Sequence, residues 1–134
     1  MSKKEDILSR YRANVRERYD RPSLDDLHGI TYPDPLAQFI QMSRTVGGRV
    51  VEAAEDLNAQ IRELFPDAVE IASNLPEITI ATRNPDTVES ARALDGTDVG
   101  VIRGLFGVAE NGCIWIPQTM KEKAVCFISE NLVI

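Results

Sequence analysis

Asp98-Val-Gly-Val-Ile-Arg-Gly-Leu-Phe-Gly-Val-Ala-Glu-Asn-Gly-Cys-Ile-Trp-Ile-Pro117 is the stretch on which the reading of this chain turns. It is strongly apolar and punctuated by glycines. Val99, Val101 and Ile102 read as a strand, Gly104 and Gly107 space a turn, and Phe106, Val108 and Ala109 form a second apolar run. Asn111-Gly112 then separates that run from a third, Ile114-Trp115-Ile116. Asn-Gly between two apolar runs is a strong hairpin signal, because a two-residue type I′ turn needs positive φ at both central positions. After Asp98 the only acid in the stretch is Glu110, directly before that turn. A carboxylate between apolar strands sits either at the rim of a sheet or where chemistry needs it.

Working outward from this stretch, helical and strand-like runs alternate. Ser2 and Glu5 fit a capping box opening a helix over residues 2–20, with Leu8, Tyr11, Val15 and Tyr19 as its apolar stripe. Residues 3–21 carry seven Lys or Arg against four acids, a surplus of +3, while the rest of the chain carries −9. That basic face is either solvated or docked on an acidic surface, of this chain or of another subunit. Prolines 22, 33 and 35 mark a loop over residues 21–34. His28 lies in that loop without a second histidine or spaced cysteines, so it reads as a surface or capping residue.

Pro35 opens a second helix, with Leu36, Phe39, Ile40 and Val46 on one face and Gly47-Gly48 as its stop. Residues 49–53 read as a short strand. A helix over 54–65 turns Leu57, Ile61, Leu64 and Phe65 inward and ends at Pro66. Residues 68–72 and 77–82 read as strands, 88–94 as a short helix, and 121–125 as another. The run 124–128 is compatible with helix or strand, and Leu132-Val-Ile134 reads as a last strand. This alternation predicts an α/β domain. Residues 1–34 form an N-terminal helix and loop, and 35–134 form the α/β body.

Composition narrows the function. A net charge of −6 argues against a general nucleic-acid binder, whose footprint is basic. No apolar run reaches the length of a membrane span, and the N-terminus lacks the apolar core of a signal peptide. Cys113 and Cys126 are spaced neither as a disulfide framework nor as a zinc site, which points to reduced thiols in the cytoplasm. Cys126 reads as core. Cys113 reads as a small core residue, or as a reactive thiol if Arg103 lowers its pKa. No metal site and no resident cofactor is read.

The segment Asp98-Val-Gly-Val followed by Phe106-Gly-Val-Ala-Glu-Asn-Gly-Cys-Ile-Trp-Ile116 resembles the signature of the LUD-domain family, which includes lactate utilisation protein C. Those proteins carry an Ile-Ala-Glu-Thr-Gly-Thr type segment after a strand and turn. Ala109, Glu110 and Gly112 match it, Asn111 and Cys113 replace threonines, and Ile102-Arg103-Gly104 replaces Thr-Gly-Ala. The resemblance covers roughly residues 35–134. It implies a mainly parallel sheet flanked by helices, of the ribose-5-phosphate isomerase and coenzyme A transferase fold group. It also favours a helix over 124–128. Family members continue past the strand at Leu132–Ile134 into a Ser-Gly-Pro-Ser type anion loop. The chain therefore reads as truncated at its C-terminus, either as a fragment or as a branch without that segment. An open sheet edge would then invite pairing, as in a homodimer.

What the resemblance implies for function is a part in oxidising lactate to pyruvate, beside iron–sulfur partner subunits that hold the redox centres. A second line comes from the coenzyme A transferases, in which a Ser-Glu-Asn-Gly segment carries the nucleophilic glutamate. Glu110 is thus the catalytic candidate, in an enzyme acting on a thioester or small carboxylate. Arg103 is the candidate anion binder, or else the partner of Glu110 or another acid. Gly104, Gly107, Asn111 and Gly112 are candidates for backbone approach to a small anionic ligand. Arg83, with Asn74, Thr82 and Asn84, ends strand candidates where α/β sheets gather ligands. A third expectation is a non-catalytic domain that pairs through its open edge.

Overall fold

The computed structural model describes residues 2–15, 17 and 19–134. The chain divides into two compact units, residues 1–30 and 31–134.

In the first unit, helix α1 spans Lys3–Asn14. The capping box forms as expected: Ser2 Oγ accepts from the Glu5 amide, and Glu5 returns a carboxylate to the Ser2 amide. The helix ends six residues before the predicted stop at 20, with Val15 as its C-cap. Arg16 and Arg18, inside the predicted helix, lie outside the described residues. α1 buries none of its residues. Leu8, Tyr11 and Val15 of the expected stripe are exposed, so α1 gains little of the packing from which most helical stability comes. His28 is exposed, as expected of a loop residue.

The second unit is a mixed α/β body. Its sheet is parallel, in the order β1 (Ile71–Ser73), β2 (Val99–Val101) and β5 (Asn131–Val133). The register pairs Ile71 with Val99 and Val99 with Asn131. Period-two alternation sends successive side chains to opposite faces. Ile71, Val99 and Val101 meet Ile61, Ala68 and Ile78 on one face, under helix α3 (Leu57–Leu64). Ala72 joins Leu94, Ile102, Met120 and Val125 on the other, under helix α4 (Val125–Ile128) and a 3₁₀ turn at Ala91–Leu94. Coverage on both faces is the rule for parallel sheets, and β1 and β2 are buried at every position while edge strand β5 is not. Gly100 is required here: a Cβ would lie 2.6 Å from Ser129 Oγ and 3.1 Å from Val125 Cγ2. The amino end of the sheet is tied by Asp98, whose Oδ2 accepts from the amides of Val69 (2.7 Å) and Glu70 (2.8 Å).

Two predicted strands do not form. Residues 49–53 are irregular and pair with no strand, and the Gln60 amide binds the end of the segment, donating to Glu52 O and accepting from the Ala54 amide just past it. Residues 77–82 curl into turns instead. Asn58 of α3 holds that curl at both ends, donating to Glu77 O and accepting from Ile80 N, while Ile78 plugs the core. The predicted strand at 68–72 is shifted to 71–73, and the predicted helix at 88–94 shrinks to the 3₁₀ turn. The run 124–128, for which the resemblance favours helix, forms α4 at Val125–Ile128, while the separate helix expected over 121–125 does not form and 121–124 are bend, turn and irregular backbone. Helix α2 (Pro35–Thr45) starts where predicted, with Asp34 as N-cap, and Gly47 follows its end at φ +90°. Leu36 and Val46, predicted to line its inner face, are exposed.

Candidate functional site

Beyond β2 the chain runs through Ile102, whose amide donates to Val133 O, and then Arg103, Gly104 and Leu105 into a hairpin. Strands β3 (Phe106–Val108) and β4 (Cys113–Trp115) pair antiparallel, Val108 opposite Cys113. The loop between them is therefore four residues, Ala109-Glu110-Asn111-Gly112, and not the two-residue type I′ turn expected from Asn-Gly. Gly112 has φ +73°, but Asn111 does not enter the left-handed region. Its side chain accepts from Cys113 N at 3.0 Å, while Gly112 N donates to Val108 O at 2.9 Å. An Asn that satisfies the backbone through its side chain removes the need for the tighter turn.

The hairpin sits on α2 through its glycines. A Cβ at Gly107 would lie 2.7 Å from the Phe39 ring, and one at Gly112 would lie 2.7 Å from Ser43 N. A Cβ at Gly104 would meet Ile114 Cγ2 at 2.5 Å. These three glycines, expected to admit a ligand, admit the protein's own side chains and backbone. Between α2, the hairpin and the last residue lies an open groove of about 480 Å³, lined by Leu36, Phe39, Gly104, Phe106, Ile114 and Ile134 among others. Its lining carries no charged side chain among the described residues. On the hairpin, Phe106 and Trp115 stack in parallel with ring centroids 6.0 Å apart, both half-exposed.

Glu110 occupies the exposed loop. Among the described residues its carboxylate makes no hydrogen bond or ion pair. Arg103 is exposed too, and its partner is Glu77, on the curl that sequence reading took for a strand. Arg83 is built in differently. Its Nε pairs with Glu70 at 2.9 Å, and its Nη1 donates to the carbonyls of Ala93 (3.3 Å) and Asp95 (2.5 Å). Through its backbone, Arg83 also bridges the outer side of β1. The structure thus brings Gly104 and Gly107 to one groove wall and Glu110, Asn111 and Gly112 to the adjacent loop, while Arg83 clamps the 3₁₀ turn to the edge of the sheet.

The remaining candidates are structural. Asn74 donates to Asp86 at 3.0 Å, and Thr82 bonds Glu70 and both backbone groups of Ile71. Asn84 caps the turn that follows it through Asp86 N and Thr87. The Lys121 amide and Asn74 hold Asp86 below the usual carboxylate range, and the amides of Glu70 and Val69 do the same for Asp98. Cys113, read as a small core residue or as a reactive thiol beside Arg103, is exposed, on the face of β4 that it shares with half-exposed Trp115. Cys126 is half-buried beside the second core cluster, and burial pushes its thiol up. Among the described residues no group of His, Cys, Asp and Glu is placed to hold a metal ion, and no helix is long and apolar enough to cross a membrane.

Sequence reading allowed Arg103 an acidic partner without naming Glu77, and it placed Leu36 and Phe39 on a helix face without the groove they line. Leu75-Pro76 before Glu77 was the available signal of a turn. Comparison with protein-family models, with curated proteins and with solved structures finds no match to this chain.

Proposed function

We propose that this chain is a LUD-type α/β protein similar to lactate utilisation protein C, and that it serves as an accessory, small-ligand-binding component in the oxidation of lactate to pyruvate. The observation that carries this reading is where the chain puts Ala109-Glu110-Asn111-Gly112. That segment lies on a hairpin leaving the carboxyl end of the central strand of a parallel sheet, the end at which α/β sheets hold ligands. Redox chemistry belongs to iron–sulfur partner subunits in this reading. Binding is favoured over catalysis because a carboxylate nucleophile needs a partly desolvated pocket, and Glu110 is exposed. Deleting the gene in the source cells should slow growth on lactate and leave growth on other carbon sources intact. The tagged protein should bring iron–sulfur proteins with it. Unchanged growth on lactate would overturn the reading. An enzymatic role for Glu110 requires instead that Glu110→Gln abolish turnover of a thioester or small carboxylate in a folded protein.

One observation favours a second reading, a domain that pairs with another copy. β5 has β2 on one side and, among the described residues, no strand on the other, and Leu132 and Ile134 are exposed there. Unpaired strand edges template further pairing. Sedimentation that shows a monomer at high concentration removes this reading.

A further inference from the structure

We infer that Arg103 is the carboxylate-binding residue of this domain and that Glu77 is its built-in competitor, a tethered carboxylate that a small free carboxylate must displace. The inference rests on the ligand-binding part of the reading above and names the ligand class and the residues that take it. Three observations lead to it. Arg103 lies two residues past the carboxyl end of β2, the middle strand of the sheet. It is two-thirds exposed, and Glu77 is its one hydrogen-bonding side-chain partner among the described residues. A guanidinium carries five donors in a planar fork that suits a carboxylate, so one contact leaves most of its capacity unused. Arg83, by contrast, has its Nε and Nη1 donors committed to one carboxylate and two carbonyls, so it is held in the fold as Arg103 is not.

Glu77 is placed to act as a stand-in. Its backbone is fixed, because Asn58 holds the carbonyl of Glu77 and the amide of Ile80. Its side chain remains on the surface, so the carboxylate can swing off Arg103 while the curl stays in place. A group tethered by a short linker competes at an effective concentration on the order of millimolar. Free carboxylate therefore takes Arg103 only at about that concentration. Exposed ion pairs are weak, so removing the competitor should tighten binding by about two- to five-fold and no more.

The test is an amide chemical-shift titration of the full chain with sodium lactate, sodium pyruvate and inorganic phosphate at fixed ionic strength, with sodium chloride as control. The expected result is saturable binding of lactate or pyruvate. Glu77→Gln, which keeps the backbone carbonyl for Asn58, should bind about two- to five-fold more tightly. Arg103→Ala should not bind, and Arg103→Lys should bind more weakly, because a point charge lacks the fork. Saturation by phosphate alone would overturn the assignment to carboxylates. So would binding that survives in Arg103→Ala, equal affinity in wild type and Glu77→Gln, or shifts that chloride reproduces. Backbone spectra of all three variants show whether they are folded. A normal lactate-growth phenotype on deletion with intact carboxylate binding would sink the metabolic reading and leave this one standing. Loss of growth with no binding would do the reverse.

Discussion

Substituting Gly112 by alanine tests whether the hairpin that carries Glu110 is seated on α2. Two penalties combine at this position. Gly112 has φ +73°, where an L side chain is strained by about 1–2 kcal/mol. Its new Cβ would also lie 2.7 Å from Ser43 N and 2.9 Å from Ser43 Cα. Those are backbone atoms of a helix and cannot move aside as a flexible side chain can. Over-packing of this kind adds about 1–3 kcal/mol. Gly96 supplies the control: it has φ +72°, and nothing lies within 4 Å of a Cβ built there. Gly96→Ala therefore carries the strain alone, partly offset by about 0.4–1 kcal/mol from the stiffer unfolded chain. With the same unfolded-chain offset in both variants, urea unfolding should place Gly112→Ala about 1–4.6 kcal/mol below wild type and Gly96→Ala about 0–1.6 kcal/mol below it, a difference of about 1–3 kcal/mol. Trp115, the one tryptophan, reports on β4 of the hairpin, while helical dichroism reports on the body. Equal losses in the two variants, within about 0.5 kcal/mol, would refute the seating of the hairpin on α2.

Other expectations follow from single side chains. Asp86 and Asp98 both have carboxyls held below their usual range, so they stabilise the fold above about pH 4 and that contribution is lost as pH falls further. Urea midpoints of wild type should drop from pH 5 to pH 3, and the double variant Asp86→Asn/Asp98→Asn should show a shallower drop. Thiol labelling should be biphasic: exposed Cys113 reacts first, half-buried Cys126 slowly, and Cys113→Ser removes only the fast phase. Arg83→Ala should cost about 1.5–3 kcal/mol, because it unties the carbonyls of Ala93 and Asp95 together with Glu70. A melting temperature unchanged by that substitution would mean that the clamp is idle.

Legibility in the sequence followed how local the signal was. The capping box at Ser2 and Glu5, Pro35 at the start of α2 and the Gly47 stop are each set by residues within one turn, and all were readable, whereas Asp34 as N-cap came only from the structure. The strand at Val99–Val101 and the hairpin after it were readable from apolar runs between glycines. The two strands that did not form each meet a side chain of α3. Gln60 takes the carbonyl of Glu52, and Asn58 holds the curl at Glu77 and Ile80. An alternating run predicts a strand only when its backbone groups find a neighbouring strand, and a side-chain amide from a nearby helix satisfies them equally well.

The same dependence separates residues that look alike in one dimension. Arg83 and Arg103 each follow a strand candidate and each read as an anion binder. In three dimensions Arg83 faces two carbonyls at the end of a 3₁₀ turn, which no free ligand can supplant without opening the fold. Arg103 faces a single carboxylate on the surface, which a free carboxylate can replace at little cost to the fold. Glycines divide the same way. Spacing at 104, 107 and 112 suggested room for a ligand, but the atoms nearest each missing Cβ belong to Ile114, Phe39 and Ser43. Those glycines position the Glu110 loop by letting the hairpin close onto α2. The exposed carboxylate of that loop and the exposed Arg103–Glu77 pair are the groups that the proposed ligand binding would draw on.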